Sequence, residues 1–252
     1  MIHVVVISPH PDDCEYGVSG LVAAGIHDGG WSATIACYAG APEVGAPSFM
    51  PGQAAVREEE AREAASVLGA ACVSLSASFG APRNLALPEL IALFRAERPD
   101  LVITVDPDDA HPFHRRVTTR VEEALFLSAV ATADLGDGVP PLPQPPQCMF
   151  MESFSSIRFA PDIYVDVTRW FPLARRALLA HRTGLRVTPG LEYQMRASHM
   201  RHGAAAGVQL AEGLRFARGY AQDWTAPRLR ILAAIAGLQA ATVEVAVDGP
   251  SR

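Results

Sequence analysis

The 252-residue chain contains no lysine: all 21 of its Lys+Arg positions are arginine. Together with abundant Ala, Gly and Pro this reads as the codon bias of a GC-rich genome rather than as selection for bidentate arginine contacts. Positive charge is sparse and scattered. Against 27 acidic residues it leaves a formal charge of -6 and a pI near 5.7, so the basic stripe of a nucleic-acid binder is missing. Cysteine is also scarce. Cys14, Cys37, Cys72 and Cys148 lie far apart without CxxC spacing, which excludes a thiolate zinc knuckle and a dense disulfide framework and leaves buried thiols. No apolar run reaches the roughly 18 to 20 residues that span a bilayer. Met1 is followed at once by strand residues, so no signal peptide is expected and the expected location is cytoplasmic. Three catalytic signatures are absent too. Gly17, Ser19 and Gly20 form no dinucleotide fingerprint, there is no Walker run, and Ser153, Ser155 and Ser156 lack the Gly-x-Ser-x-Gly elbow of a serine hydrolase.

What is present suits one large globular domain, with 49% hydrophobic and 19% charged residues. Ile2 to Ile7 and Leu101 to Val105 are unbroken Val/Ile-rich runs, the pattern of strands buried on both faces of a parallel sheet. Further strands are expected over 32–38, 72–75, 148–153 and 163–167. Helices are expected over about 14–28, 57–69, 87–96, 115–132, 169–183, 190–219 and 226–240. Strands alternating with helices imply right-handed crossovers and a mostly parallel α/β sheet. Residues 39–54 and 77–86 read as loops, 136–146 as an extended, exposed proline-rich connection, and the last dozen residues as a fraying end.

Chemistry concentrates at two strand ends. The run His10-Pro11-Asp12-Asp13 follows the first strand, and Asp106 to His114 follows the 101–105 strand; both loops fall on the carboxyl edge of the sheet, where α/β proteins bind ligands. His10 and Asp13 are three apart, as are His111 and His114, and such turns can converge on one ion. Three N/O ligands with one position open to water describe catalytic zinc. That leaves a carboxylate and an imidazole: Asp12 suits a general base, and His111 a donor to a developing oxyanion. The plainer alternative stays open. Pro11-Asp12-Asp13 also suits a helix start, and the histidines could be loop residues bonded to Asp106, Asp108 or Asp109. His181 reads as a helix-end or core histidine, and His199 and His202 as members of a solvated helix face.

The run His10-Pro11-Asp12-Asp13, with Gly17 and Gly20 behind it, resembles the opening motif of the zinc-dependent N-deacetylases of the PIG-L or LmbE family. Arg57-Glu58-Glu59-Glu60-Ala61-Arg62 with Leu68-Gly69 resembles its second block. Arg98-Pro99-Asp100-Leu101-Val102 with His111-Pro112-Phe113-His114 resembles its third. Tyr164-Val165-Asp166-Val167, Ala180-His181-Arg182 and Ala211-Glu212-Gly213 resemble its C-terminal pattern. The resemblance implies a Rossmann-like, mostly parallel sheet flanked by helices over about 1–133 and a smaller C-terminal strand and helix region over about 147–240, within one domain.

It further implies that His10, Asp13 and His114 bind Zn2+, that Asp12 is base and then acid, that His111 stabilises the oxyanion, and that Arg57 contacts substrate. Fe2+ suits the same donors. Two positions depart from the pattern. Phe113 stands where the family has an aspartate that orients and charges the neighbouring histidine, so His111 is expected to be less cationic unless Asp108 or Asp109 substitutes. The Asp-Gly found after the third strand in many relatives is replaced by Phe79-Gly80-Ala81-Pro82-Arg83-Asn84. The expected activity is removal of an acyl group, foremost acetyl, from the nitrogen of a small-molecule amino sugar or glycoside conjugate, with neither nucleic acid nor membrane as partner and a homo-oligomer left open. A non-catalytic metal-containing homologue, or an amidase acting on a thiol conjugate or natural-product intermediate, are the alternatives.

Overall fold

The computed structural model describes residues 1–40, 53–76, 87–133, 135–136, 138–218 and 226–247, with side chains as far as residue 239. The expected loops at 39–54 and 77–86, including the Phe79 to Asn84 departure, and the last five residues lie mostly or wholly outside these.

The order of elements is β1 (His3–Ser8), α1 (Asp13–Gly17), α2 (Ser19–His27), β2 (Ser32–Cys37), α3 (Gln53–Leu68), β3 (Ala71–Ser74), α4 (Leu87–Glu97), β4 (Leu101–Val105), α5 (Pro112–Ser128), β5 (Gln147–Met151), β6 (Ile163–Asp166), α6 (Phe171–Leu178), α7 (Arg182–Val187), α8 (Leu191–Ala206), β7 (Ala211–Phe216) and α9 (Ala226–Val247). The strands form one seven-stranded sheet in the order β3-β2-β1-β4-β5-β7-β6. β3, β2, β1, β4 and β5 pair in parallel, and β7 runs antiparallel to both β5 and β6. This is the mostly parallel α/β sheet expected from the sequence.

The unbroken apolar runs are buried on both sides. Val4 and Val6 join one core with residues of α2, α3, α6, α8 and α9, while Val5 and Ile7 join a second with α4 and α5. Chain order reverses between β1 and β4: β1 leads out to β2 and β3 on one side, and β4 to β5 on the other. The carboxyl ends of these two neighbours therefore open a crevice at the topological switch point. Both polar loops start there.

Three expected helices need correction. The helix expected over 14–28 is two helices, because Val18 leaves helical geometry (φ -147°, ψ 11°). The helix expected over 169–183 is likewise split, into α6 and α7. The helix expected over 190–219 ends at left-handed Gly207 (φ 76°), a common helix stop, and its remainder contains the strand β7. The Pro-rich connection also buries Leu142 and Pro146 rather than lying wholly exposed.

The first and third corrections meet at one contact. α2 has no local side chain over its first turn; instead the buried Glu212 carboxylate of β7 accepts the N–H groups of Gly20 and Leu21, both at 2.7 Å. A carboxylate at the positive end of a helix satisfies donors that have no intrahelical partner. Gly20 must be glycine for this contact, since a Cβ would lie 2.9 Å from Glu212 Oε1 and 2.6 Å from Val167. His199 contacts the same carboxylate at 3.2 Å, and His202 lies 2.8 Å from Glu152. Both histidines are consequently buried, at 2% and 5% exposure, and not on a solvated face. Glu212→Gln, which cannot accept both N–H groups and the imidazole equally, is expected to lower stability by about 1–3 kcal/mol, read as a reduced urea midpoint with an unchanged slope.

Candidate active site

Three side chains converge at the switch point. His10 and Asp13 come from the β1–α1 turn, and His114 from the first turn of α5. His10 Nδ1 lies 2.9 Å from His114 Nε2, and Asp13 Oδ2 lies 3.5 Å from the first and 3.4 Å from the second. All three residues are buried. Donors arranged tetrahedrally at about 2.0–2.2 Å from one ion are about 3.3–3.6 Å apart, so this triangle fits a single metal ion with little adjustment. A wider set is also available: ligand atoms of His10, His111 and His114 lie within 4.8 Å of one another.

The electrostatics suit a cation. Burial alone would raise the Asp13 carboxyl, but the imidazoles of His114 and His10, the backbone N–H of His10 included, hold it below the usual carboxylate range. Burial alone would likewise depress His114, and Asp13 and Asp109 raise it instead. An ionised carboxylate beside two imidazole nitrogens is a donor set that suits a divalent cation.

His111 sits at the N-cap of α5 with extended backbone, and its Nδ1 accepts the N–H of Phe113 at 3.2 Å. That bond leaves Nε2 to carry the proton of the neutral ring. Burial, reinforced by His10 and His114, pushes its pKa down to about 4. Neither Asp108 nor Asp109 replaces the missing carboxylate at this ring: Asp109 Oδ1 takes the backbone N–H of His111 at 2.7 Å instead. His111 is a neutral donor at a helix N-terminus, the arrangement in which an imidazole rather than an imidazolium polarises a carbonyl.

A pocket beside these residues is lined by His10, Asp12, His111, Phe154, Gly184, Val187 and Thr188. It places the Asp12 carboxylate and the His111 ring on a common space. Arg57 is buried on α3 and is not among the described residues lining the pocket. His181 is neither exposed nor part of the triangle; it starts α7 and lies 3.2 Å from the buried carboxylate of Glu15, as expected of a core histidine. Cys14 is fully buried.

One group of polar residues was not read from the sequence as part of the site. Asp109 Oδ2 lies 2.9 Å from His114 Nδ1, and Ser153 and Ser155 donate to its two oxygens. Burial is again overcome, and the His114 imidazole with the two hydroxyls holds Asp109 near 2. The signal available was only the five-residue spacing from Asp109 to His114. The serines lie more than forty positions away, beyond local pattern.

The family model described as GlcNAc-PI de-N-acetylase matches residues 5–125, the stretch that holds both polar turns and the whole triangle. Over that stretch the chain is similar to the PIG-L family. Its relatives include the diacetylchitobiose deacetylase of Thermococcus kodakarensis, 26% identical over 237 residues, which cover 86% of this chain and 83% of that one. The solved N,N'-diacetylchitobiose deacetylase of Pyrococcus horikoshii, crystallised with its inhibitor, is similar with a TM-score of 0.75 and 26% identity over 88% of this chain and 87% of that chain. A conserved protein of Thermus thermophilus gives 0.70 and 25% over 89% and 99%. No helix among the described residues is long and apolar enough to cross a membrane.

Proposed function

We propose that this protein is a PIG-L-type metal-dependent hydrolase that removes an acetyl group from the nitrogen of an amino sugar or its conjugate. The observation that carries the proposal is the 2.9, 3.4 and 3.5 Å triangle of His10, His114 and Asp13 beside a pocket shared by Asp12 and His111. Deacetylases among its relatives support the reaction class.

In this reading His10, Asp13 and His114 would hold Zn2+ or Fe2+ through two imidazole nitrogens and one carboxylate oxygen. When bound, such an ion supplies Lewis acidity and makes a water acidic enough to lose a proton near neutral pH. Asp12 would take a proton from the water that attacks the acyl carbon and return it to the amine nitrogen as the C–N bond breaks, releasing the acyl group as a carboxylate. His111 donates its Nε2–H to the oxygen that gains charge as the carbonyl becomes tetrahedral. Phe154 and Val187 line the space beside Asp12 and His111.

The deciding experiment is amine and acetate release from N,N'-diacetylchitobiose and a panel of N-acetylglucosaminides, using protein reconstituted with zinc or with iron(II). Turnover that is absent from folded, metal-loaded protein across the panel would overturn the assignment.

Gly184 supplies a separate check. A Cβ there would lie 2.6 Å from Asp12 Oδ2, so α7 approaches the proposed base closely enough to fix its rotamer. Gly184→Ala is expected to preserve stability, since alanine favours a helix, to retain metal, and to lower kcat about 100-fold through displacement of the carboxylate. Steady-state kinetics with elemental analysis of the same sample distinguish this from loss of the ion.

A further inference from the structure

We infer that Asp109 is a positioning residue for His114, and that the Ser153-Phe154-Ser155-Ser156 segment is a clasp that holds it in place. The inference rests on the metal site proposed above. His114 uses its two nitrogens on opposite sides: Nε2 faces His10 Nδ1 and Asp13, while Nδ1 faces Asp109 Oδ2 at 2.9 Å. A ring held through Nδ1–H by a carboxylate presents Nε2 as an unprotonated donor in a fixed direction, which is how outer partners orient a metal-bound imidazole.

Asp109 is itself held from several sides. Ser153 Oγ donates to Oδ2 at 2.5 Å, and Ser155 Oγ and the His111 N–H each donate to Oδ1 at 2.7 Å. The Ala110 N–H donates to the Ser155 carbonyl at 2.9 Å, and the Ile157 N–H to the Asp108 carbonyl at 2.9 Å. Arg115 Nη1 closes the turn on the Asp109 carbonyl. Asp109 and Ser153 are almost wholly buried, at 1% and 2% exposure, so the bond between them acts without competition from water.

The clasp connects three functions through one carboxylate. It fixes the ring of His114 and pins the backbone of His111. Because Phe154 lies between its first two serines and lines the pocket, the same hydrogen bonds also set one pocket wall. A residue that replaces the usual aspartate at position 113 thus leaves the metal-facing imidazole fully supported, while His111 relies on backbone for its tautomer.

The test compares wild type, Asp109→Asn, and the pair Ser153→Ala and Ser155→Ala by calorimetric titration of zinc into metal-free protein and by the visible absorption of the cobalt(II) forms. Asp109→Asn is expected to weaken zinc binding 10- to 100-fold and to change the cobalt band intensities, with metal-free melting close to wild type. The serine variants, which leave the His114 contact in place, are expected to stay within about threefold of wild type, taking only a small part of that 10- to 100-fold range. Unchanged affinity and spectrum in Asp109→Asn overturn the inference, as do serine variants that lose as much as Asp109→Asn. If Asp109→Asn does not fold, the decision passes to zinc-loaded wild type labelled with 15N-histidine. A slowly exchanging His114 Nδ1–H supports the inference, and a rapidly exchanging or absent one overturns it. Wild-type protein that binds no zinc at all refutes instead the functional reading on which this rests.

Discussion

Asp12→Asn is expected to lower kcat by about 10²- to 10⁴-fold, the range attributed to a positioned general base, while leaving metal content and melting temperature unchanged. The side chain lines the pocket with His10 and His111 but is not one corner of the His10, Asp13 and His114 triangle. Asparagine keeps the shape of the carboxylate, including its close approach to Gly184, and loses only the ability to take a proton. Asp13→Asn is the informative contrast. Asp13 Oδ2 lies within 3.5 Å of both imidazole nitrogens and also accepts the His10 N–H at 2.7 Å, so that variant should lose metal first and activity as a consequence. Asp12→Asn protein that keeps more than a tenth of wild-type turnover removes Asp12 from the chemistry. The His111 ring adds a pH corollary: with a pKa near 4 it stays neutral above about pH 5, so a fall in activity between pH 7 and 5 belongs to other groups.

The second large effect is removal of the ion. Chelated protein, shown metal-free by elemental analysis, is expected to lose about 10³-fold or more in kcat, corresponding to the several kcal/mol of charge stabilisation an ion provides. One equivalent of zinc or iron(II) should restore it. His10→Ala should be inactive and should not be restored, because one corner of the triangle is gone. Binding should also raise stability, by about 4 kcal/mol when free metal is a thousandfold above its dissociation constant, visible as a higher melting temperature in wild type and no shift in His10→Ala. Full turnover by verified metal-free protein would exclude the proposed chemistry.

Legibility in the sequence followed the range of the interactions. β1 and β4 were readable because strands buried on both faces cannot alternate in polarity, and the Val/Ile runs declare this within six residues. The convergence of His10, Asp13 and His114 was readable for a related reason: two short polar turns ended two such strands, and adjacency of the strands then followed from sheet topology. What escaped detection depended on partners far along the chain. The break at Val18 is stabilised by Glu212, β7 lies within a stretch that reads as helix although Gly207 stops it, and His199 and His202 read as solvated because their carboxylate partners lie far along the chain. Asp109 is visible as a candidate partner for the loop histidines, but the two hydroxyls that also hold it come from serines 44 and 46 residues away.

The Glu212 contact with α2 has a consequence for how the molecule comes into being. The donors at Gly20 and their acceptor are separated by 192 residues. At elongation rates of about 5–20 residues per second, roughly 10 to 40 s pass between synthesis of the helix start and arrival of the carboxylate that completes it. In the later part of that interval the nascent chain carries both polar turns of the site on a half-built sheet whose β7 position, between β5 and β6, is still unfilled. Ribosome-bound chains halted before Ala211 should therefore remain protease-sensitive around residues 13–27, and acquire resistance only when the last strand has emerged.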